Sequence, residues 1–322
     1  MIHHPKTRDE WLTLRHKYVC STDQAALHGL SPYQTAFELF HAKSAETYTE
    51  WEAGERAEWG IALEEAVARK VAEDQGVKVR KLSAFVSRDG TGMASSFDYE
   101  IVGLKEEYEG TSALRVKYAE QGPGILEIKC VDWLVFKQSW PEYDDSREAP
   151  AHIEIQVQHQ LHCIERQWAA LGVLVGGNRL HLLTRDYDAE VAQSLEAATK
   201  RFWKDVAAKR APPPVLPADA ELIAAMYSFG DPDKVLDAQE NMDVFALCED
   251  YINAAAQQSA AEKAKTTAKA KLLMMIGDAS KVICGNGITI SAGTVGEAVV
   301  ETYTRKAYRN FRVNKKVPKE AA

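Results

Sequence analysis

The sequence lacks any apolar run approaching the roughly 20 residues that span a bilayer. Its first residues are polar, so it predicts neither a membrane span nor a secretory signal. The five cysteines are widely spaced and include no CxxC pair. This usage argues against a disulfide framework or a zinc site and favours a reducing cytosol.

Positive charge is also in deficit, because 39 Lys and Arg stand against 47 Asp and Glu, a net charge of −8. This balance does not indicate a nucleic-acid binder, but it does not exclude one, since a local basic groove matters more than the sum. With 46% hydrophobic and 27% charged residues over 322 positions, the composition is that of a globular protein.

A cluster of four prolines between 212 and 217 predicts a stiff connector, because proline fits neither a helix interior nor a central strand. We therefore predict two regions, a core over 1–211 and a C-terminal accessory region over 212–322. The accessory region contains a stretch from about 244 to 276 without proline or glycine, which predicts one long helix.

The end of the chain carries a predicted hairpin and a basic tail. Two short β segments, 281–284 and 288–291, flank a turn sequence, Gly285-Asn286-Gly287. The last 21 residues hold seven basic side chains and one acid. The tail could follow a DNA backbone, or it could be a solvated segment.

A strand predicted over Ile125–Cys130 carries an acid and a lysine two residues apart. Strand alternation places Glu127 and Lys129 on one face, with Leu126, Ile128 and Cys130 on the other. The carboxylate could bind a metal while the ammonium orients a water. The alternative is a solvated surface pair.

Upstream, the segment from Met93 to Val102 predicts another strand, with Asp98 and Glu100 on one face. Asp98 could join Glu127 in a Mg²⁺ site, because Mg²⁺ takes oxygen ligands and few of them from protein. Glu100 is the substitute if Asp98 is not a ligand. Otherwise Asp98 caps a turn.

A helix predicted over Gly54–Gln75 places Glu64 in the middle of an apolar stripe made by Ala57, Ile61, Val67, Ala68 and Val71. A carboxylate there is costly unless something pairs with it, so Glu64 is either functional or part of a buried salt bridge.

A second helix predicted over about 151–171 has an apolar face formed by Ile153, Val157, Leu161, Ile164 and Trp168. Gln156, Gln160 and Gln167 form a ridge of amides beside it. These amides could bind phosphate oxygens or a water, or they could mark the polar edge of the core.

In order, these features are a Glu on a helix, an Asp on a strand, Glu-x-Lys on the next strand and Gln-x-Gln on a helix. This order resembles the restriction-endonuclease-like (PD-(D/E)XK) nucleases, and more closely the lambda-exonuclease/YqaJ family of phage recombination nucleases. The resemblance covers roughly residues 8–210. Its remaining motifs are Trp11 to Arg15, Cys20 to Tyr33, Gly60 to Glu64, and Phe202-Trp203 with Val206.

Two departures from the family pattern stand out. The usual Ser-Pro-Asp-Gly reads Ser96-Phe97-Asp98-Tyr99, and about 20 residues, Gly103–Pro123, enlarge the connection to the next strand. The resemblance implies an α/β (α+β) fold, with a restriction-endonuclease-like core whose central mixed sheet is flanked by helices. A C-terminal extension with a helix and a β-hairpin follows this core.

The resemblance further implies two Mg²⁺ ions, or Mn²⁺, held by Asp98, Glu127 and the carbonyl of Ile128. Glu64 would bind the metal directly or through a water molecule. Lys129 would position the attacking water and Gln156 would help to hold it. Residues that match the 5′-phosphate site are Arg15, Thr22 and Ser21. Arginine suits this role because its planar fork pairs with phosphate oxygens.

The activity implied by the resemblance is 5′→3′ digestion of one strand of linear duplex DNA. It would release mononucleotides and leave 3′ overhangs for recombination by strand annealing. A ring-shaped homotrimer, a single-strand annealing partner and a cytoplasmic site in a bacterial host of a phage or prophage are implied as well. The alternatives are a related endonuclease and an inactive DNA-binding scaffold.

Overall fold

The computed structural model describes residues 1–48, 54–143, 146–284 and 288–294. The chain divides into two units, Met1–Leu222 and Ile223–Ala322. The predicted boundary at 211 between an exonuclease core and an accessory region stays a prediction.

The strands of the first unit are β1 (Ile2–His3), β2 (Val19–Cys20), β3 (Val77–Lys81), β4 (Phe85–Arg88), β5 (Met93–Ser96), β6 (Tyr99–Leu104), β7 (Gly124–Val131), β8 (Glu142–Tyr143), β9 (Ser146–Arg147), β10 (Trp168–Val175) and β11 (Arg179–Asp186). Its helices are α1 (Arg8–Lys17), α2 (Gln24–Leu27), α3 (Ala36–Ser44), α4 (Glu55–Gln75), α5 (Ala113–Gln121), α6 (Trp133–Ser139), α7 (Ala151–Ile164) and α8 (Ala189–Ala207), and α9 (Ala220–Met226) crosses into the second unit.

Two mixed sheets organise this unit. The larger has the strand order β11-β10-β7-β6-β3, in which β7 and β10 are parallel and the other pairs antiparallel. The smaller has the order β1-β4-β5-β2. Helices flank these sheets, so the predicted α/β fold with a mixed sheet between helices is confirmed.

Strand β7 separates two layers of the core. Leu126 and Ile128 pack in one apolar cluster with Val67 and Val71 of α4. Ile125 faces the other way, into a cluster that includes residues of α7. Because helices cover both faces, the central strands are apolar on both sides.

Helix α4 confirms the prediction for Gly54–Gln75, with Gly54 as its N-cap and Gly76 ending it in the left-handed conformation at φ 60°. However, its buried residues are Val67, Ala68, Val71 and Ala72. Ile61 is 69% exposed. Glu64 therefore lies at the edge of the buried half of the helix, not in the middle of a buried stripe.

The strand predicted from Met93 to Val102 was wrong as one element. Strands β5 and β6 belong to different sheets, and Asp98 lies between them. The chain turns here because both polar groups of Asp98 are used, its carbonyl by the amide of Leu82 and its carboxylate by the amide of Ile128.

The helix predicted over 151–171 was too long. It ends at Ile164, where Glu165 adopts the left-handed conformation at φ 58°, and Trp168 begins the buried strand β10. A continuous apolar run such as Trp168–Val175 fits a buried helix and a buried strand equally well. Parallel pairing with β7 decides for the strand.

The enlarged connection contains α5, whose Leu114 packs against the core. Near the end of this unit, Phe202 of α8 is buried, and Trp203 donates a 3.1 Å hydrogen bond to the carbonyl of Gly92.

The second unit contains the long helix α10 (Met242–Ile276), which confirms the helix predicted over 244–276. The predicted hairpin strands are present as β12 (Lys281–Ile283) and β13 (Thr289–Ser291), which pair antiparallel. Their turn, Gly285-Asn286-Gly287, and the basic tail lie outside the described residues. In the part of the chain that the structure describes, no helix has the length and apolar character needed to cross a membrane.

Candidate active site

Strand β7 presents an acid and a lysine to the same cavity. The Nζ atom of Lys129 donates a 2.5 Å hydrogen bond to Oε1 of Glu127. Glu127 is 4% exposed. The predicted shared face is therefore confirmed. Glu127 is buried and the Lys129 side chain is 24% exposed, so the two do not form the solvated surface pair that was the alternative.

Two amides of α7 hold the same carboxylate. The Nε2 atom of Gln156 donates to Oε1 of Glu127 at 2.6 Å, and that of Gln160 donates to Oε2 at 2.7 Å. Gln167 does not join them, because α7 has ended and this residue lies in the connection to β10. The predicted amide ridge is thus two glutamines long.

Asp98 faces Glu127 from the break between β5 and β6. Its Oδ2 atom accepts a 2.8 Å hydrogen bond from the backbone amide of Ile128. Burial and the negative charge of Glu127 raise the pKa of Asp98 to about 8, against the opposing charge of Lys129. A buried carboxylate, Glu127, and a partly buried one, Asp98, form a donor set that suits a hard divalent cation.

Glu100 is buried away from this cavity. Its carboxylate accepts hydrogen bonds from Arg80 at 2.6 Å and from Arg166 at 2.5 Å. Burial alone would raise the pKa of Glu100, but the two arginines outweigh it and lower that pKa. Between the two candidates, the structure brings Asp98, and not Glu100, to Glu127.

The last turn of α1 and the segment that follows it bring an arginine and two hydroxyls to the same cavity. The Nη2 atom of Arg15 donates to Oγ1 of Thr22 at 3.1 Å. Ser21 is buried and accepts a 2.9 Å hydrogen bond from the hydroxyl of Ser95. This cavity has a volume of about 200 Å³ and is lined by Arg15, Cys20, Ser21, Thr22, Ser96, Asp98, Glu127, Lys129, Gln156 and Gln160.

Glu64 does not line this cavity. It forms an ion pair with Lys81, but the Lys81 side chain is 48% exposed, so the pair is not the buried salt bridge that the sequence left open. Its charge still contributes to the raised pKa of Asp98, so it lies within electrostatic reach. Among the described residues, no group of three His, Cys, Asp or Glu side chains is arranged to hold a metal ion.

Sequence reasoning did not assign a role to Gln160 or Asp23. Gln160 was visible only as a member of the amide ridge. Asp23 is buried and binds Lys43 at 2.8 Å, lies 3.7 Å from Arg15, and accepts from the amide of Cys20. It thus anchors the segment that carries Arg15 and Thr22. Because no local pattern links Asp23 to Lys43, 20 residues away, the sequence offers no signal for this pair.

Comparison with known proteins shows what the part of the chain that carries these residues is similar to. Residues 10–167 match the model of the YqaJ-like viral recombinase domain. Over 202 residues the chain is 29% identical to protein YqaJ of Bacillus subtilis (strain 168), an alignment that covers 62% of this chain and 56% of that protein. The chain therefore spans just over half the length of this curated relative.

Two solved structures are among those that align with this chain. The alkaline exonuclease LHK-Exo of Laribacter hongkongensis is 16% identical, and the match covers 67% of this chain and 98% of that one with a TM-score of 0.45. A phage-related exonuclease of Haemophilus somnus 129PT is 13% identical, over 58% and 94% of the two chains, with a TM-score of 0.38.

Proposed function

We propose, from the match of residues 10–167 to the YqaJ-like viral recombinase domain, that this chain is a metal-dependent 5′→3′ exonuclease of linear double-stranded DNA. It releases mononucleotides and leaves 3′ single-stranded overhangs for recombination by strand annealing. The observation that carries this proposal is the single cavity that joins Asp98, Glu127 and Lys129 to Arg15.

The proposed metal is Mg²⁺, two ions per site, with Mn²⁺ as a substitute. The metal would be held by Asp98, Glu127 and the carbonyl oxygen of Ile128. Glu64 would bind it through a water molecule and would keep its ion pair with Lys81. These are hard oxygen donors. Burial and the charge of Glu127 raise the pKa of Asp98 to about 8, so a bound cation would stabilise the ionised form of this carboxyl. When bound, such ions stabilise the attacking and the leaving oxygens of a phosphodiester displacement.

Side chains of the protein orient the attacking water, hold the Glu127 carboxylate and bind the 5′-phosphate. Lys129 donates hydrogen bonds that orient the attacking water. Gln156 and Gln160 fix the Glu127 carboxylate through both oxygens, so that its orientation does not change as charge develops. Arg15, with the hydroxyls of Thr22 and Ser21, binds the 5′-phosphate of the strand end and thereby sets the polarity of digestion.

We further propose that the protein acts in the cytoplasm as a ring-shaped homotrimer around DNA, together with a single-strand annealing protein. A ring would reconcile the net charge of −8 with DNA binding, because basic groups would line the channel and acids the outside.

The test is digestion of linear duplex DNA labelled at either the 5′ or the 3′ end, in Mg²⁺ or in EDTA, beside a closed circular duplex. We expect metal-dependent release of the 5′ label as mononucleotide with the circle intact. The variant Lys129→Ala should bind DNA normally and release nothing.

Other outcomes would replace the proposed exonuclease activity by one of its alternatives. Cleavage of the circle would indicate the related endonuclease. DNA binding without cleavage in either metal would indicate an inactive scaffold of the same fold, and normal turnover by Lys129→Ala would remove its assigned role.

A further inference from the structure

Tyr33 presents an exposed aromatic ring beside the candidate active site. It is 84% exposed, more than any other large apolar side chain in the described part of the first unit. Its ring packs edge-to-face with that of His152, with 6.0 Å between the ring centroids and 87° between the ring planes. Most of the tyrosine ring is therefore free to contact another molecule.

The contact with His152 locates the Tyr33 ring relative to the cavity. His152 lies one turn before Gln156 in α7, about 6 Å along the helix axis, so both side chains lie on the same face of this helix. Gln156 lines the cavity and holds the Glu127 carboxylate there. Burial and the charge of Lys129 lower the pKa of His152, so this ring lies within electrostatic reach of the lysine and is neutral at pH 7. Neither ring lines the cavity itself, so the pair lies just outside it.

The loop that carries Tyr33 is held on both sides of this residue. The Oγ atom of Ser31 accepts hydrogen bonds from the amides of Tyr33 and Gln34, each at 3.1 Å. Thr35 caps α3 through its side chain and donates a 2.6 Å hydrogen bond to Asp219, which is fully buried. Because the loop is already ordered, binding through the exposed ring costs little additional conformational entropy.

We propose that Tyr33, supported by His152, stacks on the base of the terminal nucleotide of the DNA strand whose 5′ end enters the cavity. This inference rests on the proposed exonuclease function and adds a nucleobase site to it. A cavity of about 200 Å³ does not admit a base pair, so the terminal base has to leave its complementary strand and lie outside the cavity. Stacking on Tyr33 stabilises the unpaired base in that position.

The chemistry of the two rings favours a base as the partner over a phosphate. A tyrosine beside a neutral histidine carries no positive charge, whereas Arg15 and Lys129 supply positive charge inside the cavity. Every base has a π-face, so stacking on tyrosine tolerates any sequence, as digestion along a whole strand requires. Tyrosine also offers a large contact area with few rotatable bonds.

Removing the ring and removing the base should have non-additive effects on binding. Short duplexes with a 5′-phosphate carry either an ordinary or an abasic terminal nucleotide, and the full-length protein binds them in EDTA, without metal-dependent cleavage. We expect Tyr33→Ala to weaken binding of the ordinary end by about 5- to 100-fold, the range for base–aromatic stacking, and to leave binding of the abasic end unchanged. Tyr33→Phe keeps the ring and should bind both ends like the unaltered protein. The matched control Leu30→Ala, at a 45% exposed position of the same segment, should change neither.

An equal loss on the two ends would overturn the stacking and reduce Tyr33 to a general DNA contact, and normal binding of the ordinary end by Tyr33→Ala would overturn it as well. Moving the abasic residue to the third nucleotide should restore the full effect of Tyr33→Ala, and failure to do so would exclude the terminal base as the partner.

Digestion of the ordinary duplex in Mg²⁺ separates this inference from the function on which it rests. Coupling between Tyr33 and the terminal base without release of nucleotide would support the base site and overturn the exonuclease activity. Normal digestion without such coupling would overturn the base site alone. No binding of either end by the unaltered protein would overturn both.

Discussion

The side-chain amide of Gln160 donates a 2.7 Å hydrogen bond to Oε2 of Glu127, and both residues are more than nine-tenths buried. The other oxygen of this carboxylate is occupied by Gln156 and Lys129. The Gln-x-Gln motif contains Gln156 and Gln158, and the structure shows that Gln160, outside this motif, is the second side-chain amide that holds Glu127.

Replacing Gln160 by leucine should lower cleavage by about 10- to 100-fold, because a buried hydrogen bond to a charged group is worth about 1.5–3 kcal/mol. The matched control is Gln158→Leu on the same helix, whose side chain binds backbone groups of Asp186 and Asp188 instead. Turnover of end-labelled duplex measures both. Equal losses in the two variants would show that Gln160 acts only through folding.

Substitutions of Asp98 and Glu100 should have different effects, because Asp98 lies in the active site and Glu100 stabilises the fold. Asp98→Asn should abolish cleavage while the free energy of unfolding is kept, because a like charge is removed from beside Glu127. Glu100→Gln should retain cleavage. It should cost about 1–2 kcal/mol in urea unfolding, since a buried carboxylate loses its ion pairs to two partly exposed arginines. Loss of cleavage in Glu100→Gln with normal stability would reverse the assignment.

How far the sequence predicts this site depends on how local each feature is. The shared face of Glu127 and Lys129 follows from strand alternation alone, and α4 and α10 follow from uninterrupted helical segments between clear ends. These elements are specified by residues close together in the chain, so they could be predicted.

The misplaced elements depend on distant contacts. The turn at Asp98 is fixed by the amide of Ile128, 30 residues away, and the end of α7 is fixed by pairing of β10 with β7. Glu64 was expected in a buried stripe, but the sheet covers only the second half of α4. Periodicity describes one element at a time and cannot show where a neighbouring layer stops.

Substitution of Arg15 should affect substrates according to their 5′ end. Arg15→Gln should slow digestion of 5′-phosphorylated duplex at least tenfold more than that of 5′-hydroxyl duplex, because only the phosphate needs the guanidinium. Initial rates on the two substrates give this ratio. Arg69→Gln, at an exposed position of α4, serves as the control. An equal loss on both ends would reduce Arg15 to a general DNA contact.

His159 should make the protein sensitive to mild acid. Burial lowers the pKa of His159 to about 4, although its hydrogen bond to the carbonyl of Ala94 opposes this shift. Its ordinary pKa in the unfolded chain is about 6.5. Between pH 6.5 and about 4, His159 is therefore protonated in the unfolded chain and still neutral in the folded protein. Stability is therefore complete above pH 6.5 and is lost as pH falls toward 4, by about 3 kcal/mol in all.

Urea unfolding between pH 7.5 and 4.5 tests this expectation. The unaltered protein should lose stability steeply over this range, whereas His159→Gln, although less stable at pH 7.5, should show a shallower slope. Parallel slopes would exclude His159 as the source of acid sensitivity.

The proposed ring predicts the mass of the protein in solution. A homotrimer contains three chains, and three is the smallest closed ring that the proposal allows. Light scattering should therefore give a mass of about three chains for the unaltered protein. A mass of one chain would remove the ring, and the assignment of Asp98, Glu127 and Lys129 would then rest on cleavage alone.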